Sequence, residues 1–461
     1  MKPIPVAAIF DIGKTNKKFF LFDEDYRIVY HRSAKFNETV DENGFACENL
    51  EALKSSLFES LREAFKLEEY DIRAANFSAY GASLVYVDEK GEPLTPLYNY
   101  LKPYPEELKA QFYAAYGGED TFAVKAASPV LGSLNSGMQL YRLKYEQPKV
   151  FAKTKYALHL PQYMSFLLAG KACSDITSIG CHTNFWDFGE HDYNEWVHKE
   201  HIAEKLAPIV KADEIVSIDI EGKSIKVGSG LHDSSAALIP YLANFREPFM
   251  LLSTGTWCIS LNPFNHAPLT QDELNNDCLC YLDYRGNPVK ASRLFAGHDH
   301  DMKAKRLADH FRQHVGKYKD VEYNPHIMPT LISNNALVKN NEMLPFNEVD
   351  LSTFKSDEEA YHYLICELVQ QQVRSSALVL KDTPVRRIFV DGGFSKNTVY
   401  MNLLASAFND MEIYAASMPQ ATSLGAAIAL HRHWNTKELP ANLIELNYYA
   451  GNSILAPKSF Y

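Results

Sequence analysis

Asp233 sits in Gly228-Ser229-Gly230-Leu231-His232-Asp233-Ser234-Ser235, between two glycine-bearing turns. Those turns are Asp11-Ile12-Gly13-Lys14-Thr15-Asn16-Lys17-Lys18 and Ser253-Thr254-Gly255-Thr256-Trp257. Glycine lets a backbone approach a ligand closely, and threonine hydroxyls and turn N–H groups can donate to phosphate oxygens. A lone carboxylate between two such turns points to a base that accepts a hydroxyl proton during phosphoryl transfer. The plainer reading of Asp233 is a capping carboxylate at a helix start near Ser234-Ser235. Asp11 closes an apolar run and could hold Mg²⁺ through waters. Lys14, Lys17 or Lys18 could offset phosphate charge. Each turn is also readable as an ordinary solvated hairpin.

Gly13-Lys14-Thr15 invites a P-loop reading, which fails on two counts. Position 8, where that motif needs glycine, is alanine, and Phe19-Phe20-Leu21-Phe22 reads as strand where a helix is required. A third turn, Asp391-Gly392-Gly393, follows an apolar strand and precedes a helix beginning near Asn397. Paired glycines there allow a base or ribose to lie against the backbone, or simply make a tight turn. Gln420 and Gly425 lie in Pro419-Gln420-Ala421-Thr422-Ser423-Leu424-Gly425-Ala426-Ala427, where Gly425 equally permits close helix packing.

The elements that must position these residues are readable from periodicity. Val6–Phe10 and Phe19–Phe22 are expected strands joined by the Asp11–Lys18 turn. Phe249–Ser253 and Trp257–Leu261 repeat that layout, so two related halves are expected, each opening with a hairpin onto a shared cleft. A helix is expected over Glu358–Leu380 and a strand over Arg387–Val390. Strands alternating with helices indicate an α/β fold. The division between units is expected near Leu242–Pro248, separating 1–245 from 246–461.

These segments, in this order, resemble the FGGY family of carbohydrate kinases over nearly the whole chain. The resemblance implies two actin-like (ribonuclease H-like) ATPase domains flanking a central cleft, with ATP and Mg²⁺ as cofactors and a sugar as acceptor. On it, Asp233 is the catalytic base and Asp11 the metal anchor. Gly13, Thr15, Asn16, Lys18, Thr254, Gly255 and Thr256 lie at the phosphates, and Gly392, Gly393, Asn397, Gln420 and Gly425 at the nucleoside. Tyr80, Gly81, Ala82, His159, Gln162, His182 and His232 are expected near the sugar. Gly255-Thr256-Trp257 and its spacing to Arg293-Leu294-Phe295-Ala296-Gly297 look most like kinases of L-rhamnulose and L-fuculose.

The chain departs from the family pattern at several places. Lys14 stands where threonine is usual and Gln420 where many members have glutamate. Pro96-Leu97-Tyr98-Asn99-Tyr100 replaces a Trp-x-Asp-x-Arg pattern after an expected hairpin at Leu84–Leu94, and Gln162 stands where aspartate is frequent.

Bulk composition narrows the field. A chain of 461 residues is expected to form two or three domains. A net charge of −11 argues against general affinity for nucleic acid or acidic membranes. Seven scattered cysteines without a C-x-x-C pair read as reduced thiols. No apolar stretch approaches the roughly 18 residues of a membrane span. A cytoplasmic protein is therefore expected, and a homodimer is compatible with the sequence. Two rival functions share these features. One is an actin-like ATPase or sugar sensor without kinase turnover. The other is a metal-dependent hydrolase using His298-Asp299-His300-Asp301.

Overall fold

The computed structural model describes residues 2–220, 222–334, 336–339, 342–418 and 420–451. Two seven-stranded mixed sheets organise them. In the first, Ile4–Ile12 lies between Lys17–Asp23, antiparallel, and Tyr70–Ala79, parallel. In the second, Met250–Thr254 lies between Cys258–Asn262, antiparallel, and Arg387–Gly392, parallel. The repeated layout expected of the two hairpins is thus present in both sheets.

The opening strand is apolar on both faces because both are covered. Val6, Ala8, Phe10 and Ile12 point into a core shared with Leu53, Leu57 and Leu61 of the helix Leu50–Phe65. Ala7 and Ile9 point the other way, into a core shared with Leu424 and Ala427 of the helix Ala421–Ala429. This two-residue alternation is the ordinary geometry of a strand.

The first hairpin turn is shorter than the sequence predicts. The strands run on through Ile12 and from Lys17, leaving residues 13–16 as the turn, closed by Gly13 N–H donating to Asn16 O at 3.0 Å. Asp11 and Lys18 are therefore cross-strand partners and not turn residues. The extension has a physical cause: Ile12 is buried, and Lys17 is pulled inward by an ion pair with buried Glu48 at 2.9 Å.

The helix Asp233–Asn244 carries the candidate base at its first position. It packs on Ala421–Ala429 so tightly that a methyl group on Gly425 would overlap the Ala236 carbonyl oxygen. Buried Asn76 ties this pair to the first sheet, donating to Ala426 O at 2.8 Å and accepting from Gly230 N at 3.1 Å. The strand Leu84–Val87 pairs with Tyr156–His159, and its return through Pro93 is a single bridge, so the expected Leu84–Leu94 hairpin is mostly a turn. The long helix spans Asp357–Leu380, with Ser356 as its N-cap. Among the described residues, no helix is long and apolar enough to cross a membrane.

Candidate active site

Asp233 lies where the Leu231–His232 strand gives way to its helix. Its Oδ1 accepts from Ser234 N at 2.6 Å and Ser234 Oγ at 3.3 Å, and His232 Nε2 lies 3.2 Å away. Among the described residues, Oδ2 takes no hydrogen bond from a side chain or backbone. The side chain keeps 35% of its surface open. Even so, the dense protein around the carboxylate raises its pKa to about 6, with the Ser234 bonds opposing. A carboxylate at the bottom of a cleft can be both reachable and poorly hydrated, which reconciles the two facts.

Asp11 ends its strand nearby. Burial lifts its pKa to about 6; Lys18 opposes that shift and the charge of Asp233 adds to it. Ser423 Oγ donates to Asp11 Oδ2 at 3.2 Å, and Lys18 Nζ donates to Gln420 Oε1 at 2.9 Å. The first hairpin and the last motif therefore form one surface. Gln420 reaches it from a left-handed conformation, φ 59°.

In the two turns the glycine N–H groups are already spent, Gly13 on Asn16 O and Gly255 on Trp257 O at 2.9 Å. The exposed residues are Thr15 and Asn16 in the first turn and Ser253, Gly255, Thr256 and Trp257 in the second. Thr254 faces inward: its hydroxyl donates to Asp391 O at 2.5 Å and accepts from Phe394 N at 3.0 Å. Thr254 is thus a bolt between the second hairpin and the Asp391-Gly392-Gly393 turn. Gly392, at φ +91°, leaves room for the Thr254 carbonyl, where a methyl group would overlap. Gly392 and Gly393 are exposed. Asn397 caps the helix Thr398–Ala407 through Tyr400 N at 2.9 Å and donates to Tyr361 OH at 2.7 Å, so its side chain shapes the wall. Gly425 is buried against Ala236 and has no surface to offer a nucleotide; the expected contact is replaced by helix packing.

Of the residues expected near the sugar, the structure gathers Gly81, Ala82, His182 and His232. Gly81 sits against Cys181 and the His232 ring, and Ala82 takes φ +65°. Burial lowers His159, His182 and His232 to about 3, so all three are neutral imidazoles. His232 Nε2 also meets Cys181 Sγ at 3.0 Å, while Nδ1 faces Ser235 Oγ at 3.4 Å. Tyr80 donates to Glu48 at 2.9 Å. Two expected sugar contacts are corrected. Gln162 is fully buried and donates to Gly230 O at 2.8 Å, bracing the Asp233 loop from behind. His159 is buried and held by Ser136 Oγ at 3.0 Å.

Sequence reasoning missed three contributors. Tyr281 covers the His232 ring at 5.6 Å. Arg293, paired with Asp277 at 2.5 Å and lying over Trp257 at 5.5 Å, reaches the same wall from the second sheet. Tyr100 feels both Lys14 and Asp233. Tyr100 carried a signal in its place in the segment that departs from the family pattern, and Arg293 in its spacing from Gly255-Thr256-Trp257; Tyr281 carried none.

The His298–Asp301 run lies on the first turns of the helix Ala296–Phe311. Asp299 is paired with Lys303 at 2.6 Å, and His300 Nε2 meets Tyr361 OH at 3.1 Å. No group of three or more potential metal ligands is gathered there among the described residues.

The profile of the FGGY family of carbohydrate kinases, N-terminal domain, matches residues 6–239, and that of the carbohydrate kinase FGGY C-terminal domain matches 246–438. The chain belongs to the FGGY family of carbohydrate kinases. It is 25% identical over 186 residues to a rhamnulokinase of Halalkalibacterium halodurans, a match spanning 38% of this chain and 39% of that relative. Its fold is that of a carbohydrate kinase structure from Novosphingobium aromaticivorans (TM-score 0.78, 22% identity, 96% of each chain). It is also that of a xylulose kinase from Rhodospirillum rubrum (TM-score 0.80, 16% identity, 98% of this chain and 95% of that one). The FGGY architecture of two ribonuclease H-like ATPase units around a cleft accounts for the paired sheets. It also accounts for Asp233 and Asp11 lying close enough to sense each other.

Proposed function

We propose that the protein transfers the γ-phosphoryl group of ATP to a hydroxyl of a ketose of the L-rhamnulose or L-fuculose type, with Asp233 as general base. One observation carries this reading. Asp233 keeps 35% of its side chain open, with Oδ2 unengaged among the described residues and a pKa of about 6, close enough to Asp11 of the first hairpin for the two carboxylates to interact. A base of that pKa is ionised at neutral pH yet retains basicity to accept a proton as the hydroxyl attacks. The matched rhamnulokinase supports the ketose class.

In this mechanism Oδ2 removes the sugar proton, while Ser234 holds Oδ1 and fixes the carboxylate plane. Thr15 and Thr256 donate to phosphate oxygens, and Lys18, anchored by Gln420, offsets their charge. Gly392 and Gly393 flank the adenosine, with Asn397 and Thr254 holding that wall in shape. Asp11 is a fitting anchor for Mg²⁺, since its carboxylate is poorly hydrated, repelled by Asp233 and, among the described residues, carries one side-chain hydrogen bond. Bound Mg²⁺ would supply charge neutralisation at the β- and γ-phosphates. Residues 1–245 and 246–461 would be the two units, closing to exclude water. A cytoplasmic location fits ATP as substrate and seven cysteines free of disulfides.

The test is ADP release and phosphosugar formation with L-rhamnulose, L-fuculose, xylulose, ribulose and glycerol, with wild type and Asp233→Asn. Sugar-dependent ADP release that vanishes in the variant supports the reading. ADP release indifferent to every sugar would favour the actin-like ATPase instead.

A further inference from the structure

Behind the helix Asp233–Asn244, on the side away from its first residue, lies a groove of about 1010 Å³. The helix has 12 residues, so its far end stands roughly 15 Å or more from the base. Four cations line the groove: Lys211, Arg246, Arg285 and Arg432. All four are exposed, and among the described residues none forms an ion pair. Asp213 is the only carboxylate in the lining. In a chain of net charge −11, such a concentration of unpaired positive charge is a local attractor for anions.

The arrangement has direction as well as charge. Arg285 lies over the Tyr284 ring at 4.8 Å, and Arg285 and Arg432 both act electrostatically on its phenol. His431 beside them is engaged with Tyr26 OH at 2.6 Å, and burial lowers its pKa, so it adds no fixed charge. The floor is apolar, made by Leu242, Phe245, Phe264 and Leu439.

We propose that this groove is a second binding site, apart from the phosphoryl-transfer cleft, for a small phosphate ester. Three arginines among four cations match the planar, bidentate recognition of phosphate better than that of a monovalent anion. The apolar floor takes the ring or carbon body of the ester. A phosphosugar and a nucleotide share this chemistry.

The experiment is calorimetric titration of the whole chain, its nucleotide site saturated with ADP and Mg²⁺, with inorganic pyrophosphate as probe. The expected result is binding of one pyrophosphate, weakened at least tenfold by Arg285→Gln/Arg432→Gln and by raised salt. Both side chains are exposed and lack ion pairs among the described residues, and the variant loses only the Arg285 stack on Tyr284, so it should melt within a few degrees of wild type. Absence of binding to wild type, or binding by the double variant within twofold of it, would overturn the proposal. Ribose 5-phosphate and AMP titrated likewise distinguish the sources. Tighter binding of either than pyrophosphate supports the floor's role, and weaker binding of both refutes that role. Asp233→Asn should bind the probe as wild type does, so failure of the kinase reading and failure of this one are separately visible.

Discussion

His232 Nε2 lies 3.2 Å from Asp233 Oδ1, and burial keeps that imidazole neutral. Among the described residues no cation therefore touches the candidate base, and only the Ser234 hydrogen bonds oppose the poor hydration that raises its pKa to about 6. The rate should follow. kcat/KM is expected to rise with pH through about 6 and level off above it, because only ionised Asp233 accepts a proton. Asp233→Asn should lower turnover about a thousandfold. A flat pH profile between 5 and 8 would contradict the assignment.

The same shift makes a stability prediction of definite sign. Asp233 binds its proton more tightly in the folded protein than an ordinary aspartate, whose pKa is 3.8. Its contribution to stability is therefore greatest below that value and is lost as pH rises to about 6. Asp233→Asn carries no such loss. The melting temperature of the variant relative to wild type should increase from pH 4 to pH 7; an unchanged difference would remove the shift.

Lys17 and Glu48 form a buried pair at 2.9 Å, and Glu48 also accepts from Tyr80. Glu48→Ala leaves an uncompensated ammonium under the first hairpin and should cost about 3 kcal/mol in denaturant unfolding. A cost under about 1 kcal/mol would mean that Lys17 finds water.

Gly425→Ala drives a methyl group into the Ala236 carbonyl, so the two central helices must separate. The expected cost is about 3 kcal/mol, with loss of activity as Asp233 shifts with its helix. Wild-type stability and activity together would refute the packing role.

Lys18 Nζ donates to Gln420 Oε1 at 2.9 Å, joining the first hairpin to the last motif. A double-mutant cycle with Lys18→Met and Gln420→Leu, read by unfolding, should show a coupling of about 1.5 kcal/mol. Additive effects would mean that the bond contributes nothing.

Much of the architecture was legible. The two hairpins, the long helix and the strand before Gly392 follow from periodicity and glycine placement, which act over a few residues. The site was legible by residue type but not by direction. Thr15 and Thr254 are alike in sequence context, yet one is exposed and the other bolts two turns together. Gln162 looked like a sugar contact because a polar residue stood in the expected place, but it is fully buried and its Nε2 donates to Gly230 O.

By itself, then, the chain determines where strands end and where backbone can come close to phosphate, because alternation and the absence of a Cβ are local properties. Only the tertiary structure decides which carboxylates lose their water, which histidines stay neutral and which glycine faces a helix. Burial and hydrogen-bond partners are set by residues far away in the sequence, as Asp11 is by Ser423 and Gly425 by Ala236.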